Sequence, residues 1–162
     1  MLVLLFSCNH IQSGNMLRHL EIENINKLKI LDQDEKIIKF YSEFKAESAG
    51  NFFTDKRIAM YWIDDRHKEK SKISFAFYPD IRSIDTFYNP GPSYAPYMLI
   101  TKKDSTQFRV CADGRHGEVR AFFEEAIGLW LKNRSIGNTI EGLNVPENIA
   151  TPAMRARKTA VA

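Results

Sequence analysis

The hydrophobic period changes once along this chain, and that change limits the fold more than any other feature. Between Lys36 and Ala112 the apolar residues come in short runs that suit a pleated strand. Lys72 to Tyr78, KISFAFY, places Ile73, Phe75 and Phe77 on one face. From Val119 onward the spacing is helical. Val119, Phe122, Phe123, Ala126, Ile127, Trp130 and Leu131 recur at steps of three and four, as one apolar stripe. Such a stripe must be covered, and sheet is the surface the preceding segment can offer. The expected fold is therefore mainly β, of the α+β kind. About seven antiparallel strands form a barrel or sandwich, and one C-terminal amphipathic helix caps an open end.

The strands read as Lys36–Phe44, a segment ending at Thr54, then 58–63, 72–78, 81–88, 97–103 and 107–112. In the run Ile58–Ile63, the residues Ile58, Met60 and Trp62 face one way and Ala59, Tyr61 and Ile63 the other. Trp62, Phe75, Phe77, Phe108, Phe122, Phe123 and Trp130 are assigned to the core by their spacing. Asn89 to Pro96, NPGPSYAP, holds three prolines and a glycine and can only be a loop. Residues 32–134 form the domain. Residues 9–31 read as a tether or packing arm, in which Leu17, Leu20, Ile22, Ile25 and Leu28 could make a short helix. Residues 135–162 lose periodicity and read as an extended or disordered tail.

Charge excludes some functions. Lys and Arg number 23 against 20 Asp and Glu, and the excess is spread evenly along the chain. A nucleic-acid binder concentrates its basic residues, so no nucleic-acid partner is expected. The tail cluster Arg155, Arg157 and Lys158 is too small to bind anionic lipid by itself. The four histidines and two cysteines show no metal-ligand spacing, so no metal is expected. No nucleophile elbow, phosphate loop or paired carboxylates occur, and neither catalysis nor a cofactor is expected. Asp64, Asp65 and His67 sit in a charged hairpin loop, where solvated residues are the rule.

Several motifs together resemble the bacterial pleckstrin-homology-like domains. The acidic start of the first strand is matched by Asp34-Glu35-Lys36-Ile37, and the T-[DN]-K-R turn by Thr54-Asp55-Lys56-Arg57. An aromatic strand follows at Ile58–Trp62, then an I-x-x-I element at Ile81–Ile84 and the closing helix at Val119–Leu131. The resemblance covers residues 32–134. It implies a fold that hosts lipid-binding, peptide-binding and structural domains. It places the TDKR segment at a strand connection. There Asp55 can accept backbone hydrogen bonds, and Lys56 and Arg57 are either a solvated turn or an anionic headgroup contact joined by Lys102 and Lys103.

Residues 1–8, MLVLLFSC, end in Leu5-Phe6-Ser7-Cys8, which resembles a bacterial lipobox. That resemblance implies lipidation of Cys8 and a membrane anchor facing the periplasm or the cell exterior; the alternative is a cytoplasmic domain. Tyr94 and Tyr97, framed by Pro90, Pro92 and Pro96, are rigid amphipathic residues of the kind found at interfaces. The expected function is a non-enzymatic, membrane-tethered binding or scaffold module. Its partner is an envelope protein met by the Pro92–Tyr97 loop or an exposed sheet edge. The alternative is direct binding of a membrane surface through headgroups.

Overall fold

The computed structural model describes residues 11–134. Cys8, the remainder of the lipobox and the tail from residue 135 lie outside them. Among the described residues, β2 (Ile37–Tyr41), β3 (Ala49–Thr54), β4 (Arg57–Trp62) and β5 (Lys72–Phe77) form an antiparallel meander. A two-residue strand, β1 (Gln12–Ser13), adds to the free edge of β2. A tight turn at Tyr78–Asp80 leads into a second meander of β6 (Ile81–Phe87), β7 (Tyr97–Lys102) and β8 (Gln107–Cys111). The sheets therefore run in the orders β1-β2-β3-β4-β5 and β6-β7-β8. Helix α1 (His19–Lys27) precedes the first meander and α2 (His116–Asn133) follows the second.

Two apolar cores result. The larger lies between the sheets and α2, where Val119, Phe122, Phe123 and Ala126 are buried. Phe53 of β3 meets Phe122 edge to face at 5.0 Å between ring centroids. The indole N–H of Trp130 donates to the Ile81 carbonyl at 3.3 Å, which fixes the C-terminal half of α2 beside the start of β6. Leu131, expected in the same stripe, is exposed.

The second core explains why β4 is apolar on both faces. Ile58 and Met60 face the inter-sheet core, and Ala59 and Tyr61 face a layer built by the N-terminal segment. Leu17, Ile25 and Ile30 of that segment pack on Phe40, Phe52, Ala59 and Tyr61. The approach is close. A Cβ on Gly14 would lie 1.8 Å from the Ile37 carbonyl oxygen, so the close passage of the Gly14–Met16 turn over the start of β2 requires glycine there.

Two aromatic assignments are corrected. Trp62 is 40% exposed and Phe75 is 37% exposed. Phe75 lies opposite Ala59 on the α1 side of the sheet, but the α1 layer covers β2 to β4 and stops short of β5. Trp62, at the end of its strand, packs edge to face on exposed Phe44 instead.

Candidate functional site

The TDKR turn is a clamp. The Thr54 hydroxyl accepts the N–H groups of Lys56 and Arg57, both at 2.9 Å, and donates to Glu35 at 2.5 Å. Asp55 accepts the N–H of Lys36 at 3.0 Å, so its carboxylate ties the turn to the head of β2. Arg57 is only 3% exposed. Its guanidinium makes two parallel bonds to Glu35, 2.8 and 2.6 Å, and reaches Asp32 at 2.9 Å. The flat face of the same group lies 4.1 Å above the Phe77 ring and 5.0 Å from Phe75. The Arg57 hydrogen bond holds the Asp32 carboxyl below its usual range. The acidic stretch Asp32–Glu35 and the TDKR turn are therefore two halves of one device. Nothing in their sequence separation announces this.

The candidate headgroup residues do not converge. Arg57 is enclosed. Lys56 pairs with Asp32 at 3.6 Å, and Lys102 pairs with Asp104 at 3.6 Å. Lys103 is exposed, and its N–H donates to the Asp80 carbonyl. The Pro/Tyr loop offers more surface. Tyr94 is 66% exposed and Pro92 is exposed. Tyr97 is held between the Phe87 ring, stacked at 4.7 Å, and the Arg109 guanidinium, also at 4.7 Å. Asp64 accepts the N–H groups of Arg66 and His67, which makes the Asp64–His67 cluster an ordinary capped turn. Among the described residues no cluster of three or more metal-ligating side chains occurs. No helix there is long and apolar enough to cross a membrane.

A concavity among the described residues meets the sites that the sequence suggests only at Lys102 and Lys103. A groove of about 640 Å³ runs between β5 and the β7–β8 hairpin. One wall is Ile73, Phe75 and Phe77, and the other is Gln107 and Phe108. Asp80, Lys102, Lys103 and Asp104 ring one end. A side-chain bond also joins the two sheets: the Asn51 side chain of β3 accepts the Cys111 N–H of β8 at 2.9 Å.

Ladder parity shows what those edges present. Hydrogen-bonded and non-hydrogen-bonded pairs alternate along an antiparallel ladder. The Tyr78 N–H bonds to the Lys56 carbonyl, so Ala76, Ser74 and Lys72 bond to β4, and Phe77, Phe75 and Ile73 direct their backbone groups outward. By the same count from the bond of Lys102 to Thr106, Gln107 and Arg109 face outward on β8. Among the described residues no further strand pairs with either edge. An alternating apolar strand in a sequence signals one buried face. It cannot reveal that the strand lies at an edge.

This architecture is that of a pleckstrin-homology-like domain: two antiparallel meanders of four and three strands, closed by a C-terminal helix, here with an added β1 and α1. The crystal structure of a DUF1696 family protein with a pleckstrin-homology domain, from Shewanella loihica PV-4, shares the fold with a TM-score of 0.51. The two chains are 10% identical, over 75% of this chain and 97% of that one. No family model matches the chain, and no curated protein is similar to it in sequence. The likeness defines the fold.

Proposed function

We propose that this chain is a non-enzymatic binding module that takes an extended segment of a protein partner as an added strand on β5. One observation carries the reading: β5 offers three outward-facing backbone positions and an apolar row, exposed at Ile73 and Phe75 and half-buried at Phe77, at the lip of an open groove. Strand addition draws affinity from main-chain hydrogen bonds and specificity from alternate side chains. Edges of this kind are normally blunted by charge, proline or a covering loop. Among the described residues no strand covers this edge, and the charge near it is Lys72 at its start and the Arg57 guanidinium over the Phe75 and Phe77 rings.

The test is selection of phage-displayed random peptides on the purified chain, followed by affinity measurement on two edge variants. Phe75→Pro removes one outward N–H, and Phe75→Lys places a charge on the lip. Each is expected to weaken selected peptides at least tenfold, while the circular dichroism spectrum is unchanged. Binding that survives both variants but is lost in Tyr94→Ala would move the site to the Pro/Tyr loop.

The proposal places the module at a membrane through lipidated Cys8, supported by the Leu5-Phe6-Ser7-Cys8 motif. Metabolic labelling with an alkyne fatty acid is expected to mark the wild type and not Cys8→Ala. Equal absence of label from both proteins removes the anchor and favours a cytoplasmic setting.

A further inference from the structure

Resting on the strand-addition reading, we infer that the added segment is antiparallel to β5, carries apolar residues at three alternate positions, and is followed on its C-terminal side by acidic residues. Alternation comes from the row on β5. Ile73, Phe75 and Phe77 project from one face, and the residues hydrogen-bonded to them project on that same face. Apolar partners there would cover surface that the α1 layer leaves open. The antiparallel sense continues a sheet whose ladders are all antiparallel.

The acidic flank comes from charge. Lys68, Lys70 and Lys72 lie at alternate positions just before and at the start of β5, with Glu69 alone among them, and all three lysines are exposed. Among the described residues none of the three makes an ion pair, whereas Lys56 and Lys102 are each neutralised by an aspartate. The opposite end of the groove balances Lys102 and Lys103 against Asp80 and Asp104. The start of β5 therefore carries unbalanced positive charge beyond the groove lining, whereas the charge beside its C-terminal end is balanced. An antiparallel strand directs its C-terminal end toward the lysines, and that end is where negative charge gains most.

Three synthetic peptides of about twelve residues test this, a length that exceeds the roughly 20 Å run of β5. All share a Val-Thr-Val-Thr-Val centre. One has Asp-Glu-Asp after it, one has Asp-Glu-Asp before it, and one has Lys-Arg-Lys after it. Affinities are read by fluorescence anisotropy on the full chain, and the site by amide shifts of Ile73, Phe75 and Phe77. The first peptide is expected to bind about tenfold more tightly than either other, a preference that fades at high salt. In Lys68→Glu/Lys70→Glu/Lys72→Glu the order of the acidic and basic peptides should invert. These positions are exposed, so the fold is retained. Equal binding by all three peptides, with shifts at the β5 amides, overturns the charge polarity and leaves strand addition standing. Tight binding of the first peptide that leaves those amides unmoved overturns strand addition itself.

Discussion

Arg57→Ala is expected to lower the stability of the domain by about 3–5 kcal/mol, measured by urea denaturation at neutral pH. The size of the effect comes from what the variant leaves behind. The Glu35 side chain has no exposed surface; the Thr54 hydroxyl and the Asp32 N–H also donate to it, but Arg57 supplies the paired positive charge through two bonds. Removing one partner of a buried pair strands the other in a medium that solvates it poorly. The same change removes the cation from above Phe77. Lys56→Ala, one residue away, is expected to cost at most about 0.5 kcal/mol, because its pair with Asp32 is largely solvated. Arg57→Met combined with Glu35→Leu should recover much of the loss, since an apolar pair of similar volume leaves no charge unpaired. Asp32 adds a pH dependence of known sign. Its carboxyl is held low by the Arg57 hydrogen bond, so its contribution is complete above the ordinary carboxylate range. That contribution disappears as the pH falls through the depressed value. In Asp32→Asn the acid limb of the stability curve should be shallower. An unchanged limb would show that Asp32 is a bystander to the clamp.

Ile25→Ala is expected to cost about 2–5 kcal/mol, the range for emptying an enclosed aliphatic site. Ile25 is fully buried and sits among Leu17, Ile30, Phe40, Phe52, Ala59 and Tyr61, at the centre of the layer that covers the outer face of β2 to β4. Leu20, on the same helix, is exposed, and Leu20→Ala should change stability by less than about 0.5 kcal/mol. The contrast separates a packed arm from a loose tether. If both substitutions are near neutral, the second core contributes little, and Phe52 and Tyr61 would have to tolerate water on that face.

Much of the fold is legible in the sequence because it rests on local periodicity. The run Ile58–Ile63 alternates as expected, and the stripe from Val119 to Ala126 marks α2 and its buried face. The NPGPSYAP loop falls where proline forbids a ladder. What depends on distant segments is not legible. Glu35 and Arg57 lie 22 residues apart, and only the turn of β3 onto β4 brings them together. Ile73, Phe75 and Phe77 alternate in the manner of any half-buried strand, so their composition alone suggests core. The exposure of Ile73 and Phe75 follows from the position of β5 at a sheet edge beyond the reach of α1. The groove itself belongs to no motif. It lies between strands of two sheets that Asn51 and Cys111 stitch together.

That single stitch also orders the folding reaction. From β2 to β5 and from β6 to β8 every ladder joins neighbours in sequence, so both meanders can zip up by closing short loops. The bond from Asn51 to Cys111 spans 60 residues, and the docking of Phe122 on Phe53 spans a similar stretch of chain. Joining the sheets therefore carries the large loop-closure entropy and falls late. In native-state hydrogen exchange the Cys111 amide should open at lower free energy than the β3 and β4 amides. The groove would then lie along the part of the barrel that assembles last and yields first.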